Sequence, residues 1–483
     1  MSVPLPGLAL VGPAELSHEL GLPAPTAEQA RVIAAPTEPA LVVAGAGSGK
    51  TETMAGRVVW LVANGLVTPD RVLGLTFTRK AARQLADRVR ARLRRLAGSP
   101  ILDKLDPTGD RRAAVYAGEP TILTYHAYAG RLVAEHGLRL PVEPGARLLT
   151  ETASWQTAHR VVSTWSQDLD TDWVPATITQ RVLELAGELA EHLVDPDALR
   201  AHSAELCAAI ESAPKAKRQK DALPQKLADV VVTQRFRVAL LALVAAYTER
   251  KRRDGAIDFG DQMSLAARLA ETHPEVVAGE RSRYSAVLLD EYQDTGHSQR
   301  VLLRALFGLS QAYPDAEPMT VTAVGDPAQA IYGWRGASAA NLPRFATDFP
   351  RRVDGGLAPA TAYGLLTSFR NPAEVLDLAN AISAPLRAQG LDVDELRPRD
   401  GAPPGDVTLA LLSDVDTEVQ WVANQVADRW HAAVADGRAP TAAVLVRRRA
   451  DMADLAAALR ERGLPVEVVG LGRLKSDRSH VVL

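Results

Sequence analysis

The stretch Leu41-Val42-Val43-Ala44-Gly45-Ala46-Gly47-Ser48-Gly49-Lys50-Thr51 decides the fold. A short β-branched run ends in a glycine-rich turn, and Lys50 and Thr51 open a segment of helical composition. Such a turn lets backbone N–H groups point at phosphate oxygens, and the helix N-terminus adds its dipole. Lys50 is then placed for the β- and γ-phosphates of a nucleoside triphosphate, and Thr51 for a Mg²⁺ ion. Ala44 stands where the most general form of the motif has its first glycine. A phosphate loop needs an acidic partner at the end of a neighbouring strand. The run Ala286-Val-Leu-Leu-Asp290-Glu291-Tyr-Gln-Asp294 supplies it. Asp290 is placed to hold the ion through water, and Glu291 to orient and polarise an attacking water. Both clusters follow apolar strands, and open α/β sheets put their ligands at strand carboxyl ends.

Outward from these two sites, two textures alternate. Apolar runs without alternation, Leu41–Val43, Val72–Leu75, Ala286–Leu289 and Val321–Val324, predict strands buried on both faces of a parallel sheet. Between them, Leu132 to Arg253 is rich in Ala, Leu, Glu and Arg at helical spacing. The expected fold class is therefore α/β, a P-loop NTPase motor with a parallel sheet in residues 20–131 and 254–350. A mostly helical insertion fills 132–253. A Pro/Gly-rich joint near 350–362 leads to a partial second domain of the same kind in 351–472, with strands expected at Val407–Leu411 and Ala443–Val446. Residues 473–483 form an atypical tail.

The chain has 483 residues, enough for about two to four domains. Its 47% hydrophobic and 23% charged residues are those of a globular protein. A net charge of −3 makes no overall case for nucleic acid, so any DNA surface must be local. The lone Cys207 excludes a disulfide or a cysteine-ligated cluster within the chain, and fits a reducing cytoplasm. The N-terminus lacks a basic n-region, and the longest apolar run, Val238–Tyr247, is half the length that spans a bilayer. The reading is a cytoplasmic protein with no membrane partner.

Asp290-Glu-Tyr-Gln-Asp-Thr295 together with Val324-Gly-Asp-Pro-Ala-Gln329-Ala-Ile-Tyr-Gly-Trp334-Arg335-Gly-Ala337 resembles the UvrD/Rep/PcrA group of superfamily 1 helicases. Further matches follow in family order. Thr26-Ala-Glu-Gln29 resembles the adenine-reading glutamine motif, with Gln29 the reader. Leu75-Thr-Phe77-Thr-Arg-Lys-Ala-Ala82 and Thr124-Tyr125-His126-Ala127 resemble two DNA-contacting segments. Ile257-Asp-Phe-Gly-Asp261 and Leu366-Thr-Ser-Phe369-Arg370 also match. The resemblance implies ATP and Mg²⁺ as cofactors and a catalytic set of Lys50, Asp290, Glu291, Gln329 and Arg370. Gln329 would sense the γ-phosphate, Arg370 would be a first arginine finger, and Phe369 would cover one face of the adenine. Where the family often has an arginine just after the P-loop threonine, this chain has Glu52. Phe77, Tyr125, His126 and Trp334 read either as core residues or as flat side chains that stack on unpaired bases, the stacking reading favoured for Trp334, with Arg335 beside it; stacking tolerates any base. The basic run Arg79 to Arg95 reads either as a solvated helix or as a surface that tracks phosphates.

By resemblance the activity is that of an ATP-dependent helicase or translocase moving 3′ to 5′ on single-stranded DNA, or on duplex ends, in repair or recombination. The layout is also similar to motor subunits of actinobacterial helicase–nuclease machines, which implies a partner subunit. Two segments expected after Arg370, one like His-x-x-Lys-Gly-Leu-Glu and one like Thr-Arg-Ala with a second arginine finger, are not found. The sequence therefore reads as truncated, frameshifted or split, and an ATP-gated DNA-binding subunit without turnover is the alternative. A small-molecule P-loop kinase leaves the Trp334 loop unexplained.

Overall fold

The computed structural model describes residues 10–482 except 141, 144, 215–221, 310–316, 334–335, 339, 355, 389–392, 439 and 469–480. Its centre is a six-stranded, all-parallel sheet. In spatial order the strands are Thr361–Leu365, Ala40–Ala44, Thr320–Gly325, Ala286–Leu289, Val72–Thr76 and Thr121–Thr124. The four runs expected as strands are all there. Successive side chains serve opposite faces: Leu41, Leu73, Val287 and Val321 enter one core, while Val42, Val72, Ala286 and Val324 enter the other. Both faces are covered by helices, which is why these strands read as unbroken apolar runs. Helices Ala27–Ile33, Lys50–Ala63 and Arg79–Ala97 cover one face; Tyr125–His136, Phe259–Thr272 and His297–Phe307 cover the other.

The sheet has two more strands than expected, Thr121–Thr124 and Thr361–Leu365, and the second of these moves a boundary. Thr361–Leu365 pairs in parallel with Ala40–Ala44, Leu365 opposite Ala44. The presumed joint before it is a short hairpin, Arg351–Val353 with Gly356–Ala358. The first compact unit accordingly runs to Gly405, and the second comprises Asp406–Leu483. A second domain beginning at 351 is therefore corrected: its first strand belongs to the first sheet.

The helical insertion also starts later than residue 132. Leu132 and Val133 lie in the core of the first sheet, on helix Tyr125–His136. The short strands Arg147–Leu148 and Ala256–Ile257 pair in parallel where the chain leaves and returns. Between them, helices Glu151–Ser163, Pro175–His192, Pro196–Ser212 and Gln225–Arg253 follow. Three of these share a core of Ala158, Val162, Ile178, Val182, Leu240, Leu243, Val244 and Tyr247. Helix Gln225–Arg253 is the one described helix whose length and apolar content would suit a membrane span; its apolar stretch supplies part of this core.

In the second unit, helices Val415–Ala435 and Met452–Glu461 bury Trp430, Leu455 and Leu459. Ala442–Ala443 and Val466–Glu467 flank Val481–Val482 in a small parallel sheet. Val407–Leu411 is not a strand: among the described residues no strand pairs with it, and Leu411 is fully exposed. The strand expected at Ala443–Val446 shrinks to Ala442–Ala443. Within the tail expected at 473–483, residues 473–480 lie outside the described residues.

Candidate active site

Most of the segments singled out in the sequence leave the sheet at a strand's carboxyl end; Thr26–Gln29 instead caps helix Ala27–Ile33, and Ile257–Asp261 follows the short strand Ala256–Ile257 outside that sheet. The glycine-rich turn joins strand Ala40–Ala44 to helix Lys50–Ala63. Gly47 and Gly49 take φ of 77° and 81°, a conformation that a Cβ disfavours. A Cβ on Gly47 would also lie 2.7 Å from Ser368 Oγ and 2.6 Å from Arg370 Cβ. Ser48 Oγ is buried without a hydrogen-bond partner, a donor left over for a ligand oxygen. Gln29 reaches this loop from helix Ala27–Ile33. It closes a reciprocal cap with Thr26, and its Nε2 donates to the Ser48 carbonyl at 3.1 Å.

That helix is itself held by Arg57. The Arg57 guanidinium, buried in the core, donates to the carbonyls of Val32, Ile33, Ala35 and Pro36 and to Thr322 Oγ1. It satisfies the helix's final carbonyls, which have no partner within the helix. Burial lowers its pKa to about 10.

Asp290 and Glu291 follow strand Ala286–Leu289 beside the loop. Thr76 Oγ1 donates to Asp290 Oδ2 at 3.4 Å, and the Glu291 N–H to Asp290 Oδ1 at 3.1 Å. Burial, then the adjacent Glu291 charge, pushes the Asp290 carboxyl up to about 6. Glu291 adopts φ 51°, ψ 41°, unusual for a residue with a Cβ, and its carboxylate lies 3.4 Å from Lys50 Nζ. Gln293, fully buried, links this pair to the next loop. Its Nε2 donates to Glu291 and Asp294, and its Oε1 accepts the Asp326 N–H at 3.0 Å. Asp326 Oδ2 in turn accepts from Gln329 Nε2 at 2.6 Å. The motif reading missed Gln293: an amide's role as a bridge is set by tertiary neighbours, which spacing does not reveal.

Phe369 and Arg370 close the site from the strand Thr361–Leu365. Ser368 Oγ donates to the Ala46 carbonyl and the Phe369 N–H to the Gly47 carbonyl, each at 2.9 Å. Glu28, next to Gln29, accepts the N–H groups of Leu366 and Thr367 and pairs with Arg397. Phe369 and Gln29 both line a cavity of about 300 Å³ beside the phosphate loop. Arg370 is exposed and, among the described residues, its guanidinium has no ion-pair partner.

The aromatic residues divide. Phe77 is partly buried, its ring 4.9 Å from Tyr125 and stacked at 6.4 Å on Tyr332. His126 meets Phe259 edge to face at 5.7 Å. Tyr125 is corrected: it is 2% exposed in the core, and its hydroxyl donates to the Asp290 carbonyl at 3.0 Å. No face of its ring is open to a base, so it supports the acidic strand end instead. Trp334 and Arg335 lie outside the described residues. The basic helix Arg79–Ala97 divides likewise. Arg79, Lys80, Arg83, Arg94 and Arg95 are exposed, whereas Arg90 pairs with Asp87 and Glu119. Arg88 and Arg92 pair with Glu52, and Arg92 is buried.

The sequence model of the UvrD/REP helicase N-terminal domain matches residues 25–350. The chain is 30% identical over 451 residues to ATP-dependent DNA helicase UvrD2 of Mycobacterium tuberculosis, covering 92% of this chain and 55% of the relative. It is 25% identical over 443 residues to DNA helicase II of Escherichia coli, 92% and 51% of the two chains. Against ATP-dependent DNA helicase PcrA of Leuconostoc citreum it is 26% identical over 356 residues, 74% and 38% of the two. The chain thus spans about half the length of the curated relatives it matches. With a phosphate loop, an acidic strand end and the Gln293–Asp326–Gln329 chain on one parallel sheet, and with that match over most of its length, the chain belongs to the UvrD/Rep helicase family.

Proposed function

We propose that this chain carries the ATP-driven motor of a DNA helicase or translocase that moves 3′ to 5′ on single-stranded DNA, or from duplex ends, in repair or recombination. The observation that carries the reading is the arrangement around the phosphate loop: Lys50 beside Glu291, Gln29 on Ser48, and Arg370 against Gly47. The donor set fits a nucleoside triphosphate, since the orphaned Ser48 hydroxyl and the glycine cradle await phosphate oxygens. Thr51, in the first turn of its helix, and buried Asp290 fit Mg²⁺, which keeps several waters and takes few protein ligands. Bound there, the ion would neutralise charge on the β- and γ-phosphates. Lys50 holds the same phosphates, Glu291 orients the attacking water, and Arg370 meets the charge that develops at the γ-phosphate. Gln329, hydrogen-bonded to Asp326, reports the γ-phosphate to the loop that carries Trp334. Phe77, His126 and Trp334 stack on bases, and Arg335 takes a phosphate.

The test is phosphate release from Mg·ATP by the purified chain with and without single-stranded DNA. DNA-stimulated release is expected. Lys50→Ala should remove most of the nucleotide affinity, and Arg370→Ala should keep binding while losing about 10³-fold or more in rate. Tight ATP binding without DNA-stimulated release would favour the ATP-gated DNA-binding reading. Unchanged binding by Lys50→Ala would overturn the site.

A further inference from the structure

The phosphate loop is followed by an acid, Glu52, where a polyanion is to bind, and the structure surrounds that acid with cations from another element. Arg92, from the middle of helix Arg79–Ala97, pairs through Nη2 with Glu52 Oε1 and donates through Nη1 to the Glu52 carbonyl at 3.3 Å. Arg88, one turn earlier, lies 3.7 Å from Glu52 Oε2. Two guanidinium groups on one carboxylate leave the cluster with one net positive charge. Arg92 is 8% exposed, and the little that is open lines the 300 Å³ cavity shared by Gln29, Glu52, Gly56 and Phe369. Gly56 lies on the same wall: a Cβ there would crowd Ile33 Cδ1 at 2.9 Å and would be in ordinary contact, 3.9 Å, with Arg92 Nη1. Most of the remaining lining is apolar, among it Leu16, Leu20 and Pro25, with Ser17 and Thr53 adding two hydroxyls. The cavity is therefore largely apolar, with one hydrogen-bonded planar cation and one aromatic ring. That is the chemistry of a purine site, because a guanidinium packs face to face on a π-system while its edge stays hydrogen-bonded.

We propose that Arg92 is the base-binding cation of this chain: the purine of a nucleoside triphosphate packs between the Arg92 guanidinium and the Phe369 ring, with Glu52 as the positioning residue that fixes the guanidinium plane. This rests on the nucleotide-binding reading above. It assigns to helix Arg79–Ala97 two tasks. Its first turns, with Arg79, Lys80 and Arg83 exposed beside Phe77, belong to the strand-end surface; its middle belongs to the nucleotide.

The experiment compares ATP with inorganic tripolyphosphate, which has the phosphates without the base, by calorimetry on the full chain. In Arg92→Met, ATP affinity should fall about 3- to 30-fold while tripolyphosphate affinity stays within about twofold of the parent. Lys50→Ala should weaken both ligands together. A structural loss at Arg92 would move both ligands, so only the ATP-to-tripolyphosphate ratio reads the proposed contact. Arg92→Lys keeps the charge but loses the plane, and decides the question should Arg92→Met fail to fold; its ratio should also drop. An unchanged ratio in a folded Arg92 variant would overturn the proposal while leaving the nucleotide site standing. A parent chain that binds neither ligand would overturn both readings.

Discussion

Glu291 occupies a left-handed backbone conformation that nothing in Asp290-Glu291-Tyr292-Gln293 forecasts, since neither glycine nor asparagine stands there. Such a conformation stores about 1–3 kcal/mol and persists only where neighbours fix it. The neighbours are visible: Asp290 Oδ1 holds the Glu291 N–H, Gln293 Nε2 holds its carboxylate, and Lys50 faces it. The carboxylates were legible from the sequence because acids directly after an apolar strand, paired with a glycine-rich phosphate loop, form a recognisable pattern, and the structure brings Glu291 beside Lys50. The bend that aims Glu291 was not legible, because it depends on residues brought together by the sheet. Gln293 is the hub, bonded to Glu291, Asp294 and the Asp326 N–H, and it reaches Gln329 through Asp326. Gln293→Leu keeps the volume and removes all three bonds. ATP affinity should change by less than about threefold, because Gln293 bonds neither Lys50 nor the glycine turn. Turnover should fall about 10²-fold, the usual worth of a positioned base. Equal losses in binding and turnover would show that Gln293 only supports the fold.

Helix Ala27–Ile33 is seven residues long, too short to persist without outside support. Its sequence announces the start: Thr26 and Gln29 form the capping box, with the Gln29 N–H on Thr26 Oγ1 at 3.2 Å. Its end is not announced. The final carbonyls are taken by Arg57, which arrives from the phosphate-loop helix and also bonds Thr322 in strand Thr320–Gly325. One side chain thereby sets Gln29 relative to the glycine turn and to the strand that leads to Asp326. A buried arginine in an apolar helix reads in sequence as a surface position, so its role was hidden. Arg57→Met should strand those carbonyls and destabilise the chain by on the order of 3 kcal/mol or more, since each unsatisfied buried group costs about 1–3 kcal/mol. Thermal melting would show it, and nucleotide affinity should fall because Gln29 loses its anchor. A melting temperature equal to the parent's would mean that water replaces the guanidinium without penalty.

The parallel sheet was readable because its strands are buried on both faces, and so was the site, because its motifs sit on strand ends. Thr361–Leu365 escaped, since its exposed alternate residues and neighbouring prolines look like a joint, and Val407–Leu411 misled, since β-branched composition makes no strand without a partner. The insertion was legible from its helical spacing, but the fastening at its return was not. Lys251, 3% exposed at the end of helix Gln225–Arg253, lies 2.5 Å from both Asp258 Oδ2 and Asp261 Oδ2. Those two acids form the reciprocal cap of helix Phe259–Thr272, which packs on the six-stranded sheet. Burial raises the Asp258 pKa, yet Lys251 overcomes it and holds the group below its ordinary value; burial and the Asp258 charge leave Asp261 raised. Lys251→Met removes the cation that opposes burial at both carboxyls, so both folded-state pKa values rise, and that of Asp261, already raised by burial, moves further up. A carboxyl whose folded pKa is raised favours folding below the unfolded pKa, and that contribution is lost as pH rises through the folded pKa. The variant should therefore lose about 3–5 kcal/mol at pH 8, the penalty for breaking a buried pair. It should recover part of that loss at pH 5, relative to the parent at the same pH. Denaturant melts of both proteins at the two pH values decide it. A loss that is the same at pH 5 and pH 8 would mean that the two acids find other partners, and that Lys251 does not fasten the insertion to the six-stranded sheet.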